Sequence, residues 1–197
     1  MTNRILTITY SILTLLFLLG VFMTFYNYSY YGYYTDKAIN WIWLGFTGII
    51  MIWFWKMKAI KVYFFSLLTL LLLSILPMAI PFFGIVFYFS TIYDYQQFSL
   101  NSEYRIERTR QQALSLQRVY VYKKTGIIEK NICRPVYDEI KENVLNIDRS
   151  KNSIDEKQFS IQNAKFISCN TDSIGIEYQI SGKRKIIYHK LKNDDGY

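Results

Sequence analysis

Before Asp94 the chain carries only six charged side chains, Arg4, Asp36, Lys37, Lys56, Lys58 and Lys61, and they separate three uncharged, mostly apolar runs. A helix needs about 20 largely apolar residues to cross roughly 30 Å of hydrocarbon. Residues 5–25 meet that length, residues 38–55 lie at its short end, and residues 62–93 exceed it. The pattern predicts an integral membrane protein. Residues 1–93 form its transmembrane helical domain, and residues 94–197 form a soluble β-rich domain with one short helix.

The first run is too long for the apolar region of a secretory signal peptide, which covers about 7 to 15 residues before a small-residue cleavage site. It leads instead into YNYSYYGYY. Tyr26, Tyr28, Tyr30, Tyr31, Tyr33 and Tyr34 suit a membrane interface, where the ring is buried and the hydroxyl stays with water. Trp41, Trp43, Trp53 and Trp55 bracket the second run in the same way. Gly45 and Gly48, with Thr47 between them, are small residues at which neighbouring helices approach closely, so they predict helix packing and a homo-oligomer.

Short cytoplasmic loops retain Lys and Arg. Lys56, Lys58 and Lys61 therefore place the loop after the second run in the cytoplasm, and Arg4 places the N-terminus there too. The third run forks the topology. As one straight helix its 32 residues would reach roughly 48 Å, so Pro77 and Pro81 mark a break. A single kinked crossing gives three spans and an extracytoplasmic soluble domain. A hairpin of two arms gives four spans and a cytoplasmic one, but arms of about 13 to 15 residues are short for spans. The single crossing is the preferred reading.

From Asp94 onward, charged and polar residues alternate with Ile, Val and Tyr. Val119 and Val121 alternate with Tyr120 and Tyr122 ahead of a Lys-Thr-Gly turn, which predicts a β-hairpin. Ile174, Ile176, Tyr178 and Ile180 lead through Ser181-Gly182-Lys183 into a second. Pro135 stands where the first turn of a helix accepts it. Ile140, Val144 and Ile147 would line that helix's buried face. The stretch DRSKNSIDEKQ reads as a loop, and FSIQNAKFISC as the strand entering the last meander. The expected whole is a membrane α-helical bundle followed by a small α+β domain, with a mainly antiparallel sheet of about five strands.

Catalytic chemistry has little to stand on. His189 is the only histidine, so a site with two imidazoles is excluded, and a lone His on a strand reads as structural. No Gly-rich phosphate loop or nucleophile elbow occurs. The apolar runs contain no ionisable side chain other than Tyr, whereas carriers and intramembrane enzymes need buried charge. No enzyme, cofactor or metal site is predicted. Cys133 and Cys169 are the only cysteines, and a disulfide between them would suit an extracytoplasmic domain.

Net charge is +8. Residues 1–93 hold five basic side chains against one acid, and residues 94–197 hold 18 against 14, so each half contributes +4. Lys123 and Lys124, and Lys183, Arg184 and Lys185, sit at the two hairpin turns. On one edge of a sheet they would make a basic rim able to meet headgroups, a nucleotide or RNA.

The bias toward Ile, Lys, Asn and Tyr resembles that of low-GC bacterial proteins, which points to an inner (cytoplasmic) membrane. The layout of a few spans before a small β-rich domain looks like several kinds of bacterial accessory membrane protein. Among these are the small membrane effectors of CRISPR-associated and cyclic-nucleotide phage-defence systems. Two functions follow. In the first, the chain is a self-associating accessory protein, anchored in the lipid bilayer, whose β-rich domain docks a protein partner. The alternative is an antiviral membrane effector whose cytosolic domain senses a nucleotide or nucleoprotein through the five basic residues and whose spans then perturb the membrane.

Overall fold

A computed structural model describes residues 2–76, 79–111, 116–146 and 159–191. The chain divides into two compact units, Met1–Thr91 and Ile92–Tyr197.

The first unit contains helices α1 (Thr2–Phe25), α2 (Thr35–Trp53), α3 (Lys58–Ile75) and α4 (Ile80–Phe89), with a short strand β1 (Tyr28–Tyr30) between α1 and α2. Two helical segments, Asn3–Phe25 and Lys58–Ile75, are long and apolar enough to cross a membrane. Helix α2 is as long, but Asp36, Lys37 and Asn40 lie near its start. By that standard two such helices stand among the described residues, where three or four spans were expected.

Side-chain register fixes the order within this unit. Trp53 Nε1 donates to Asn3 Oδ1 at 3.2 Å. The Tyr10 and Thr47 hydroxyls lie 2.9 Å apart, and Trp43 Nε1 donates to Thr14 Oγ1 at 3.2 Å. Positions rise along α1 as they fall along α2, so the two helices are antiparallel. Trp43 is thereby a packing residue, stacked on Phe17 at 4.0 Å, and not the interfacial anchor its composition predicts. The Tyr63 hydroxyl meets Tyr10 at 2.7 Å, which sets the start of α3 beside the N-terminal half of α1.

The long third run is two helices. Pro81 falls in the first turn of α4, where its missing N–H costs no helical bond, and Ala79 ahead of it has a φ of 57°. Pro77 lies outside the described residues, as do Ile147 and the stretch read as a loop at 148–158. Gly45 and Gly48 have nothing within 4 Å of an added Cβ, so neither makes a close helix contact within the chain. That role falls to Gly20, where a Cβ would lie 3.1 Å from the Tyr30 ring and 3.2 Å from the Tyr88 hydroxyl.

The second unit contains strands β2 (Asp94–Ser99), β3 (Tyr104–Thr109), β4 (Val119–Thr125) and β5 (Ile128–Cys133), then α5 (Tyr137–Leu145). Strands β6 (Ile161–Cys169), β7 (Ser173–Ile180) and β8 (Lys183–Lys190) complete it. The structure holds the expected antiparallel sheet of five strands and, beside the expectation, a second antiparallel sheet of three; within this unit the neighbour orders are β5-β4-β3-β2 and β6-β7-β8.

Alternation explains the burial. Tyr104, Ile106, Val119 and Val121 from the first sheet meet Ile174, Ile176, Tyr178 and Ile180 from the second in one core. Each fully buried Ile or Val contributes about 1.5–3 kcal/mol. Helix α5 adds Tyr137, Ile140, Val144 and Leu145 to that core. Its N-cap is Val136, so Pro135 stands just outside the helix and not in its first turn. The Gln96 amide joins the sheets: Nε2 donates to Ile161 O at 2.9 Å, and Oε1 accepts from Ile161 N at 3.0 Å.

Candidate interaction surface

The five basic residues singled out by the sequence do not form one rim. Lys123 and Lys124 stand on β4, whereas Lys183, Arg184 and Lys185 stand on β8 of the other sheet. Lys183 Nζ donates to Leu145 O at 3.0 Å, and Lys185 Nζ donates to Asn143 O at 2.9 Å. These carbonyls belong to the last turn of α5, where helical acceptors lack partners and cations are favoured. Two of the proposed ligand-binding lysines thus cap a helix. The Lys123 ammonium lies 5.8 Å from the centre of the Tyr104 ring.

The two cysteines are both free. Cys133 is buried on β5 and Cys169 is exposed at the end of β6, on separate sheets, and the bridge considered for an extracytoplasmic domain is not formed.

The first sheet carries an ionic lattice that sequence reading missed. Arg105 holds Glu129 through both Nε, at 2.9 Å, and a second nitrogen, and reaches Glu107 at 3.1 Å. Its guanidinium carbon also lies 4.2 Å from the centre of the Tyr122 ring. Such forked pairing is the strong form of Arg–carboxylate contact, and with Glu129 only 1% exposed its partners are fixed. Burial pushes the Glu107 carboxyl up to about 7; the neighbouring Asp94 charge adds to the shift and Arg105 opposes it. Arg108, also buried, is held between Gln96 and Gln117, each at 3.1 Å, and lies 3.6 Å from the centre of the Tyr137 ring. Alternation of Arg and Glu along YRIERT was the available signal, but it reads equally well as a solvated face.

His189 is buried on β8, its Nε2 3.0 Å from the Tyr178 hydroxyl. Desolvation lowers its pKa to about 4, so at neutral pH it is an uncharged packing residue. Among the described residues no group of three or more His, Cys, Asp and Glu side chains is arranged to hold a metal.

The outer face of the three-stranded sheet is the surface that remains. Register aligns Lys165 with Glu177 and Ile186, and Asn163 with Gln179 and Arg184. Asn163, Lys165, Glu177, Gln179 and Arg184 line a shallow depression there. Beside it, Tyr188 lies across Gly175, where a Cβ would come within 2.7 Å of the tyrosine ring. Glycine at this position leaves room for the aromatic ring against the sheet, and Tyr188 is still 60% exposed. An exposed aromatic and Ile186, at 44%, ringed by Lys165, Glu177 and Arg184, have the character of a protein-contact patch.

No family model, curated protein or solved structure matches the chain.

Proposed function

We propose that the chain is a non-enzymatic, multi-pass membrane protein of the bacterial inner membrane whose β-rich unit docks a protein partner outside the cytoplasm. One observation carries the topology: the end of α4 is held at the start of α2. Lys37 Nζ donates to Phe87 O at 2.9 Å and Tyr88 O at 3.0 Å. Asn40 donates to Tyr88 O at 3.1 Å, and Trp41 Nε1 to Phe89 O at 2.9 Å.

The start of α2 is the end of the bundle that carries Tyr28 to Tyr34. It lies opposite the end that carries Asn3, Trp53 and Lys58, because α1 and α2 are antiparallel. Helices α1, α2 and α3 are then the three spans, with α2 shielded by its neighbours at Asn40 and Thr47, both buried. Helix α4, at 10 residues, extends about 15 Å and is too short to cross alone. It finishes the third crossing. With Lys56, Lys58 and Lys61 retained in the cytoplasm, the chain past Phe89 leaves on the other side.

The exposed sheet face with Ile186 and Tyr188 supports docking by the second unit. Self-association belongs to the same reading, since the α2 surface at Gly45 and Gly48 is open to a second copy. The antiviral alternative requires a cytoplasmic β-rich unit and basic hairpin tips that act together. Separate sheets and the capping role of Lys183 and Lys185 leave it the weaker reading.

The test is a pair of compartment-sensitive reporters, one active only inside and one only outside the cytoplasm, fused after Tyr197 and within the Lys56–Lys61 loop. The reading expects an outside signal after Tyr197 and an inside signal at the loop. An inside signal at both positions overturns it.

A further inference from the structure

The three-stranded sheet ends at β8, and among the described residues no strand pairs with its outer edge. The turn says which backbone groups face that edge. Ser181 and Gly182 have φ of 47° and 79°, and the register closes on Ile180 and Lys183. In a two-residue hairpin of this kind the flanking residues form a hydrogen-bonded pair, and such pairs then alternate along the ladder. Lys183, Lys185, Ile187 and His189 are thus bonded to β7. The N–H and C=O of Arg184, Ile186, Tyr188 and Lys190 point away from it, repeating about every 6.8 Å.

Side chains of those same four residues occupy the outer face described above, so backbone and side chains offer one continuous surface. Its charge selects the occupant. Arg184 and Lys190 are cations on the outer face, Lys183 and Lys185 add two on the opposite face where α5 carbonyls hold them, and β8 contains no acid. A second copy of β8 laid on this edge would set four cations against four, and Lys on an edge strand is a known device against such self-pairing. A lipid headgroup would answer the charge but not the row of unpaired backbone groups. Another extended backbone answers both.

We infer that the outer edge of β8 is the docking site of an extended, acidic segment of a partner protein, which adds to β6-β7-β8 as a fourth strand. This rests on the docking function proposed above and names the surface and chemistry it would use.

The experiment uses the full chain in nanodiscs and two labelled probes, a peptide of alternating Glu and Val and one of alternating Lys and Val. Binding is read by anisotropy, and amide hydrogen exchange locates it. The expected result is binding of the Glu-Val peptide, with exchange at Ile186, Tyr188 and Lys190 slowed by about tenfold or more and with affinity falling as salt rises. The Lys-Val peptide is expected not to bind. Ile186→Pro removes an edge N–H without removing a bond to β7, which edge strands tolerate, and should abolish binding while the exchange of β7 amides stays unchanged. Arg184→Glu with Lys190→Glu should reverse the preference between the peptides.

Equal binding of both peptides, unchanged binding to Ile186→Pro, or protection of the same amides by phosphatidylglycerol vesicles alone would each overturn the inference. Photo-crosslinkers at Ile186 and Lys165 in living cells separate the two levels. Crosslinks to protein at Lys165 but none at Ile186 overturn the edge and keep docking; none at either position overturns both.

Discussion

Stability of the second unit contains two pH-dependent contributions of opposite sign, and His189→Gln should expose one of them. The folded imidazole titrates near 4 because it is desolvated, against 6.5 for an ordinary histidine. Between these values the unfolded chain binds more protons than the fold, so this contribution is complete above pH 6.5 and is lost as pH falls toward 4. Glu107 acts the other way. Its carboxyl titrates near 7 in the fold against an ordinary 4.5, so its contribution is present in acid and is lost as pH rises from 4.5 through 7. At 1.36 kcal/mol per pH unit, each group changes stability by about 2 kcal/mol between pH 5 and pH 7.

The two oppose each other in the unmodified protein, so each offsets part of the other over that range. His189→Gln removes the histidine contribution and leaves a unit more stable at pH 5 than at pH 7 by about 2 kcal/mol. Native-state amide exchange at Ile174, Ile176 and Tyr178 in the detergent-solubilised full chain, corrected for the intrinsic pH dependence of exchange, reads this directly. The groups facing Glu107 are Asp94, Arg105 and Tyr122, and none of them is altered by the substitution. A His189→Gln profile parallel to that of the unmodified protein would refute the reasoning, since the imidazole would then bind protons equally in both states.

Glu107→Gln should tilt the same profile the opposite way, leaving the unit less stable at pH 5 than at pH 7 by about 2 kcal/mol, again read by amide exchange. Lys37→Met leaves the Phe87 and Tyr88 carbonyls without their charged donor and should cost about 1.5–3 kcal/mol, seen as a lower melting temperature in detergent with partial recovery in Lys37→Arg. Gln96→Leu removes both bonds to Ile161 and one to Arg108, and should destabilise the second unit by about 2 kcal/mol in the exchange assay. Gly175→Ala should displace the Tyr188 ring yet change stability by no more than about 1 kcal/mol, because an exposed ring can swing aside. A double-mutant cycle with Tyr188→Ala should return a nonzero coupling.

Hairpins β4-β5 and β7-β8 were legible because their turns need particular residues. Gly126 has a φ of 70° where glycine is favoured, and Ser181-Gly182 supply two positive φ values in succession. Hairpin β2-β3 was not legible. Its turn is built by Asn101, whose Oδ1 accepts from the N–H groups of Glu103 and Tyr104 at 2.9 and 2.7 Å, and β2 itself reads DYQQFS, with no apolar alternation. The basic residues were located along the chain, but whether they share one sheet edge was not legible. Proximity to a turn says nothing about which sheet a hairpin joins.

By itself the sequence determined what depends on neighbours along the chain. Charge-free runs of spanning length, a break at Pro81 and alternation in β4 and β7 are local, since each follows from residues a few positions apart. Tertiary structure alone decided what depends on distant partners. It split the strands between two sheets, assigned Lys183 and Lys185 to the carbonyls of α5, buried Arg108 between glutamines, and joined the end of α4 to Lys37. The physical reason is that a carbonyl, a guanidinium or a strand edge accepts any partner of matching geometry. Only the packed core fixes which one arrives.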